Sequence, residues 1–224
     1  MSRKSGVPNY KLPHGKFDEK WQGIDNSRLL TFDFLLANTT LFYQWSQDVW
    51  FNMHKYQINR VHSFVKKLQD NNLVNKVYTE SIDNLCTKAK INDVEELNGN
   101  LSACCLKCGK LFPYETISNF VNKDVVPFCD RCGALLKPSV LLDEEKINPL
   151  LLRKWESDLK SSNLCIFFGE PSTREEYNSF LKLINPEKLV IISDKNFSKE
   201  TSAFLKIEGI DECIDFLGLN ILKN

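Results

Sequence analysis

The fold of this chain is decided by the segment that carries two C-x-x-C motifs, Cys105-Leu106-Lys107-Cys108 and Cys129-Asp130-Arg131-Cys132. Each motif lets two thiolates face one metal ion, and two such motifs complete the tetrahedral sulfur shell that Zn²⁺ prefers. Gly109 and Gly133 directly follow the motifs, where a tight turn favours a residue that tolerates positive φ. We therefore predict a structural zinc ion held by Cys105, Cys108, Cys129 and Cys132.

Two other interpretations of the cysteines stay open. The four thiols can instead form two disulfides in a secreted protein, although a reducing cytosol would not keep them. The second interpretation has Cys104 as a metal ligand, because it adjoins Cys105, but only Cys105 makes the two-residue spacing to Cys108. A shell of four cysteines leaves no free coordination position, so the metal is expected to hold shape and perform no chemistry.

The bulk composition indicates a globular protein. Of the 224 residues, 42% are hydrophobic, which is enough for one domain or a domain with an insertion. The 29 basic and 29 acidic residues cancel, so no overall field favours nucleic acid or an anionic membrane. No apolar run has the length of a signal peptide or a membrane span. We expect an intracellular protein of the cytoplasm or nucleus, with no direct nucleic-acid or membrane partner.

Hydrophobic periodicity predicts an α/β fold. Residues 58–70 have the apolar spacing of an amphipathic helix, and 73–79 then follow as a strand. The predicted order downstream is a helix near 150–159, a buried strand at 164–168, a helix at 173–184 capped by Ser172 or Thr173, a buried strand at 189–192, a short strand at 203–207 and a helix at 210–219. Such alternation favours a Rossmann-like parallel sheet with helices on both faces. The cysteine segment, 101–137, interrupts it as a small inserted zinc-ribbon module.

Three stretches around the cysteines carry a resemblance to a known family. They are Val77-Tyr78-Thr79-Glu80-Ser81-Ile82-Asp83-Asn84-Leu85, Val94-Glu95-Glu96-Leu97-Asn98-Gly99 and Cys132-Gly133-Ala134-Leu135-Leu136-Lys137-Pro138-Ser139-Val140. Their order resembles the sirtuins, NAD-dependent protein deacylases with the pattern T-Q-N-I-D-x-L, E-x-H-G, four zinc cysteines and L-K-P-x-V-V-F-F-G-E. The resemblance implies an NAD-binding domain from 1–100 and 138–224, a zinc-binding insert at 101–137, and substrate lysine entering between them.

The departures from the family pattern concentrate on its chemistry. The family's E-x-H-G histidine is the general base, and Asn98 stands in its place. An amide cannot accept the proton at neutral pH, and loss of a positioned base costs about 10²- to 10⁴-fold in rate. None of His14, His54 and His62 can replace it by sequence position; a surface or capping role is expected for His62. Glu95 or Glu96 is a weaker candidate for a replacement base.

The resemblance carries cofactor contacts onto Glu80, Ser81, Asp83, Gly169 and Ser193. Glu80 and Ser81 replace the family's Gln and Asn, and Ser193 replaces another Asn. The family's first strand and G-A-G-x-S loop have no counterpart in the four residues ahead of Ser5, so the first strand of the sheet is expected to be missing and its neighbours to have open edges. Either the sequence starts too late or another element fills the gap.

Further replacements weaken the expected ligand sites. Asn9-Tyr10-Lys11 stands where the family has D-F-R, which exchanges a forked guanidinium for a point charge. Glu170 and Pro171 replace two hydroxyl residues near the expected phosphates. Val140-Leu141-Leu142-Asp143-Glu144-Glu145 lacks the glycine at which the acyl-lysine peptide adds as a strand.

These observations predict a sirtuin-like protein with a structural zinc ion that is a catalytically impaired pseudo-deacetylase. It would act as a protein-binding or scaffold module, with a protein or an acyl-lysine peptide as partner and NAD binding possible but weakened. The alternative is an active NAD-dependent protein-lysine deacetylase, or a weak ADP-ribosyltransferase or NAD hydrolase. A third interpretation is an ordinary α/β domain with an unrelated ligand, in which zinc only stabilises the fold.

Overall fold

The computed structural model describes residues 2–7, 20–169, 175–194 and 203–221. Several positions singled out above lie outside the described residues: Asn9, Tyr10, Lys11, His14, Glu170, Pro171, Ser172 and Thr173. The ten residues to which the sequence assigns a catalytic, cofactor or metal role are all described.

The described chain begins with helices. A 3-10 turn spans Ser2–Ser5, and three α-helices follow: α1 (Asn26–Leu29), α2 (Phe32–Ala37) and α3 (Thr39–Val49). Thr31 caps α2, because its Oγ1 accepts a hydrogen bond from the Phe34 N–H at 3.1 Å. A second 3-10 turn, Phe51–Lys55, closes this helical segment. Its aromatic side chains are buried, with Trp45 and Trp50 packed edge to face at 4.8 Å between ring centroids.

Helix α4 (Arg60–Asp70) confirms the predicted amphipathic helix, since Val61, Phe64, Val65 and Leu68 are all buried. Asn59 caps it by accepting from the Val61 N–H, and His62 Nδ1 accepts from the Asn59 N–H at 3.3 Å. The capping role expected for His62 is confirmed. A surface position is wrong, because His62 is 1% exposed.

The strand predicted at 73–79 is shorter in the structure. Asn72 has a φ of 57°, and the Leu73 N–H donates to the Leu68 carbonyl at 2.9 Å, so Leu73 completes the end of α4. Strand β1 (Val77–Thr79) then pairs in parallel with β2 (Val94–Glu96). The short helix α5 (Leu85–Lys88) connects these two strands.

A second parallel sheet contains β6 (Cys165–Phe168), β7 (Leu189–Ser193) and β8 (Leu205–Glu208), in that order. Helices α7 (Pro149–Ser161), α8 (Glu175–Leu181) and α9 (Ile210–Ile221) surround it, as the periodicity predicts. Phe168 packs against the cluster that contains Val61 and Phe64 of α4, whereas Phe167 and Leu159 of α7 both pack against a separate cluster around Leu189. Helices therefore cover both faces. Within the described ranges, no hydrogen-bonded ladder joins this sheet to β1 and β2.

Strand β6 differs from the buried strand expected at 164–168. All four of its residues are half-buried, and the preceding Leu164 is 54% exposed. Strand β7 matches the expectation, because Leu189, Ile191 and Ile192 are buried. The difference follows from pairing, since β6 has β7 on one edge and no ladder partner among the described residues on the other.

The cysteine segment forms an antiparallel sheet of three strands in the order β4 (Leu111–Phe112), β3 (Ala103–Cys105) and β5 (Leu136–Pro138). Helix α6 (Tyr114–Val121) lies between β4 and β5 in the chain. One hydrophobic core joins this sheet to α1, α2 and α3, and the Tyr43 hydroxyl donates to the Leu136 carbonyl. The sequence pattern did not show this shared core. The division into 1–100 with 138–224 and an insert at 101–137 stays a prediction.

None of the helices in the described part of the chain is long and apolar enough to cross a membrane.

Candidate functional site

The four predicted metal ligands lie together. The sulfur atoms of Cys105, Cys108, Cys129 and Cys132 are all within 4.8 Å of one another. Both loops are built alike: the Gly109 N–H donates to the Cys105 carbonyl at 3.1 Å, and the Gly133 N–H donates to the Cys129 carbonyl at 2.9 Å. Gly109 and Gly133 have φ of 70° and 68°, which confirms the reason for glycine at these positions.

The chemistry of this cluster fits a metal ion. Cys105 and Cys132 have sulfurs 3.4 Å apart, well beyond the disulfide length of about 2 Å, and all eight cysteines of the chain are unpaired. The Cys108 N–H lies 3.5 Å from Cys105 Sγ and lowers the pKa of this thiol to about 6, which favours the thiolate that binds metals. Cys104 is not part of the cluster; its thiol faces the Cys105 carbonyl at 3.7 Å.

Asn98 joins three parts of the molecule. Its Nδ2 donates to the Glu80 carbonyl at 2.8 Å, and its Oδ1 accepts from the Tyr177 hydroxyl at 2.8 Å. Its backbone carbonyl accepts from the Leu141 N–H at 2.9 Å. The residue is 6% exposed, and both ends of its amide are engaged.

Tyr177 is a site residue that sequence reasoning missed. It lies on α8, packs edge to face on Trp155 at 5.6 Å and is 2% exposed. Trp155 in turn stacks on Phe180 at 4.5 Å. The amphipathic pattern of the helix marks Tyr177 as a core residue, but no sequence signal pairs it with Asn98, 79 residues away. The aromatic packing holds the Asn98 amide in place.

Gly99 brings Asn98 against the segment that follows the cysteine sheet. Its φ is 72°, and a Cβ built on it would lie 1.9 Å from the Ser139 carbonyl oxygen. Only glycine fits this close approach of two backbones.

A second group of buried polar atoms comprises Asp83, which follows β1, and His62 of α4. Asp83 is 4% exposed; its Oδ1 accepts from the Leu85 N–H at 3.0 Å, whereas its Oδ2 is buried without a partner among the described residues. His62 Nε2 is likewise buried without a partner in this part of the chain. Burial lowers the pKa of His62 to about 4, against the opposing charge of Asp83. Among the described residues, a neutral imidazole N–H and a carboxylate oxygen are therefore left available to a polar ligand.

The five predicted cofactor residues fall into two groups. Glu80, Ser81 and Asp83 follow the carboxyl end of β1, next to Asn98. Gly169 and Ser193 lie at the carboxyl ends of β6 and β7, where the Gly169 N–H donates to the Ile192 carbonyl at 2.9 Å. Ligands of open α/β sheets bind at this edge. The cofactor role of these five residues stays a prediction.

Residues 2–5 span the two groups. Ser2 Oγ is 2.7 Å from Ser81 Oγ, and Lys4 Nζ is 3.2 Å from Asp194 and 2.5 Å from Asp211. Asp194 also accepts from the Ile210 N–H at the start of α9. Charged side chains of this chain therefore occupy the carboxyl edge beside Ser193.

Comparisons with known proteins agree with this geometry. The family model described as the Sir2 family matches residues 1–185. NAD-dependent protein deacetylase 2 of Caldanaerobacter subterraneus subsp. tengcongensis is 30% identical over 171 residues, which is 75% of this chain and 67% of that protein. The NAD-dependent protein deacetylase of Thermotoga maritima is 27% identical over 170 residues, again 75% and 67% of the two chains.

Solved structures show the same fold. One, from a study of the structural basis of sirtuin substrate affinity, has a TM-score of 0.85 at 23% identity and covers 98% of this chain and 90% of its own. Another, Sir2 with a p53 peptide and NAD⁺, has a TM-score of 0.79 at 24% identity, with 100% and 90% covered. The match of the family model over most of the sequence, with the fold and the cysteine cluster, leads to one conclusion: this chain belongs to the Sir2 family.

Proposed function

We propose that this Sir2-family chain holds a structural Zn²⁺ ion, is impaired in lysine deacylation, and acts as a protein-binding or scaffold module. The observation that carries the proposal is the Asn98 amide, which bridges the Glu80 carbonyl and the Tyr177 hydroxyl. At the position of the family's general base, this side chain has no nitrogen that can take up a proton at neutral pH.

The neighbouring carboxylates offer little in its place. Glu95 is paired with Lys154 at 2.5 Å and with Lys76 at 2.9 Å, and these contacts lower its pKa. Glu96 accepts a hydrogen bond from Asn100 at 2.6 Å, while burial raises its pKa. Glu96, with its raised pKa, is therefore the better candidate for a replacement base than Glu95. An experiment that excludes such a base must remove Glu96.

The zinc assignment rests on four sulfur ligands at C-x-x-C spacing, the donor set typical of structural zinc. All four positions are taken by protein, so the ion would stabilise the antiparallel sheet and leave the reaction to other groups. The related Sir2 structure bound to an acetylated peptide supports an acyl-lysine peptide or a protein as partner.

The test compares NAD-dependent deacetylation of an acetylated peptide by the zinc-loaded chain and by Asn98→His. A positioned base contributes about 10²- to 10⁴-fold, so we expect the variant to exceed the parent by at least about 100-fold. Glu96→Gln should leave the residual rate unchanged. Tyr177→Phe is the matched control, because it removes a bond to Asn98 without adding a base. Equal rates for parent and Asn98→His would refute position 98 as the cause.

A second function, NAD hydrolysis or weak ADP-ribosyl transfer, is favoured by the free atoms at Asp83 and His62. The carboxamide of nicotinamide offers N–H donors to Asp83 Oδ2 and an oxygen that accepts from the N–H at His62 Nε2, because Nδ1 of the neutral ring already accepts from Asn59, so the pair fits this end of NAD. Hydrolysis needs water to replace nicotinamide on the ribose and does not need the missing base. Nicotinamide release without peptide, abolished by Asp83→Asn, would establish it. Absence of NAD binding by calorimetry would exclude it.

A further inference from the structure

Lys137 is a buried cation that neither the metal cluster nor Asn98 requires. It lies on β5 and is 7% exposed. Its Nζ donates to the carbonyl oxygens of Pro138 and Val140, both at 2.9 Å, and contacts Glu145 Oε2 at 2.8 Å. A lysine is almost never this buried unless its charge is paired and its donors are used. Its partners all lie in the next eight residues.

The 139–145 segment that Lys137 contacts connects three parts of the molecule. Along one edge, alternate N–H groups donate to the rest of the chain: Ser139 to the Ser102 carbonyl at 2.7 Å, Leu141 to Asn98 at 2.9 Å and Asp143 to Leu30 at 2.9 Å. The segment thus contacts the cysteine sheet, the Asn98 loop and the first helices. A change in the backbone path of this segment would therefore shift or break the hydrogen bond between Leu141 and Asn98.

The opposite edge of the same segment is shaped by Lys137 and Glu145. Lys137 takes the Val140 carbonyl, and Glu145 Oε2 accepts from the Leu142 N–H at 2.8 Å while it pairs with Lys137. The Lys137–Glu145 ion pair therefore holds the Val140 carbonyl and the Leu142 N–H. These two groups lie on the edge opposite to the one that bonds to Ser102, Asn98 and Leu30. Charge-assisted hydrogen bonds of this kind are stronger than neutral ones, especially when buried.

We propose that Lys137 is the positioning residue of the 139–145 segment and thereby sets the affinity of the chain for an extended acyl-lysine peptide. The second half rests on the proposed function, in which an acyl-lysine peptide is the partner, and on the resemblance, which aligns 140–145 with the segment where the family adds its peptide as a strand. Replacement of Lys137 by Met keeps the length and apolar stem but leaves the Pro138 and Val140 carbonyls without their donor. We then expect the backbone of the 139–145 segment to become heterogeneous, whereas the cysteine cluster and α4 keep their structure.

The experiment measures two quantities on the zinc-loaded full chain: amide hydrogen exchange of the 139–145 segment, and the Kd of a fluorescent acetyl-lysine peptide. We expect Lys137→Met to raise both the Leu141 and Asp143 exchange rates and the peptide Kd by about tenfold or more. Lys137→Arg, which keeps the cation and its donors, should recover most of the affinity. Lys76→Met, which removes a more exposed lysine from one of the two ion pairs of Glu95, is the control outside the segment and should change neither quantity.

Each outcome decides one part of the proposal. Unchanged exchange in Lys137→Met would overturn the positioning role, whatever the peptide does. Faster exchange with an unchanged peptide Kd would overturn the link to affinity. If the parent binds no acetyl-lysine peptide, the peptide half of the proposed function fails, while the exchange comparison still tests Lys137. Should Lys137→Met not fold, Glu145→Leu serves instead and must show the same two increases, with smaller increases in Glu145→Gln, whose amide oxygen keeps both contacts but lacks the charge that pairs with Lys137.

Discussion

The cysteine-sheet region (β3, β4, β5 and the helices before α4) and the parallel-sheet region (the parallel strands and the helices packed on them) differ in how continuous their hydrophobic cores are. In the first, β3, β4, β5 and the helices before α4 share one core in which Phe42, Trp45 and Trp50 are fully buried. In the second, the parallel strands form two separate ladders among the described residues, and β6 is half-buried throughout. The packing of the second region is divided among several smaller clusters.

This difference distinguishes the residues that hold the fold together from those expected to act in catalysis. The cysteine-sheet region keeps all four metal ligands and a continuous core. Asn98, at the position expected to carry the base, lies where the two regions meet, and there its amide is held by Glu80 and Tyr177. We infer that the protein retains its architecture more fully than its reaction.

Metal removal should have the largest effect, and in one region only. Chelation would remove the proposed zinc ion from its four cysteine ligands, and structural zinc sites contribute folding energy outright. We expect amide protection of 103–138 to fall by at least about 10³-fold while β7 stays protected, because the two regions have separate cores. Hydrogen exchange with and without chelator measures this. Equal loss in both regions would contradict the comparison, and a content other than one zinc per chain would contradict the site.

Gly99→Ala should be the next largest change, because it acts where the two regions touch. Its Cβ would meet the Ser139 carbonyl oxygen at 1.9 Å, so backbone must move, and we expect a loss of about 3 kcal/mol or more in unfolding free energy. Gly23→Ala is the matched control: its φ of 82° carries the same strain, but nothing lies within 4 Å of the added Cβ, so about 1 kcal/mol is expected. Denaturant titration compares the unfolding free energies of the two variants. Equal losses would show that the contact with the Ser139 carbonyl does not cause the destabilisation.

His62 should make the parallel-sheet region sensitive to acid. Its pKa is lowered by burial from 6.5 to about 4, so the folded state disfavours the proton and the stability present above pH 6.5 is lost as pH falls toward 4. Between pH 7.5 and pH 5 the loss should be up to about 2 kcal/mol. His62→Gln keeps an acceptor for the Asn59 cap and removes the titration, so its stability should change less over this range. An identical pH profile in parent and variant would show that His62 is not the acid-sensitive group.

Cys104→Ser should have the smallest effect. The Cys104 thiol lies outside the metal cluster and faces only the Cys105 carbonyl in the contacts seen here. Zinc content by mass spectrometry should stay at one ion per chain, whereas Cys105→Ser should lose it. Loss of zinc from both variants would show that the adjacent cysteine also serves as a ligand.

The sequence predicted the features that depend on near neighbours. The four-cysteine cluster was identifiable because the pairs Cys105–Cys108 and Cys129–Cys132 each span one turn. Helix α4 was identifiable because its four apolar residues share one face. The end of β1 was also found, but its start was not, since the left-handed Asn72 extends the end of α4 to Leu73.

The features that sequence did not predict depend on tertiary contacts. The Tyr177 bond to Asn98 joins residues 79 apart, and the burial of His62 near Asp83 depends on how α4 packs. The half-buried β6 could not be seen in its apolar sequence, because burial depends on which strands pair with it. Pattern and spacing give elements and local sites; the partners of a polar side chain need the fold.

The measurement that tests the central claim most directly is the steady-state rate at which the zinc-loaded chain forms deacetylated peptide and nicotinamide from an acetylated peptide and NAD, beside the same rate for Asn98→His. We predict a parent rate lower than that of the variant by at least about 100-fold, because position 98 lacks a group that can take up a proton. A parent that turns over acetylated peptide as fast as Asn98→His, or faster, would contradict the account.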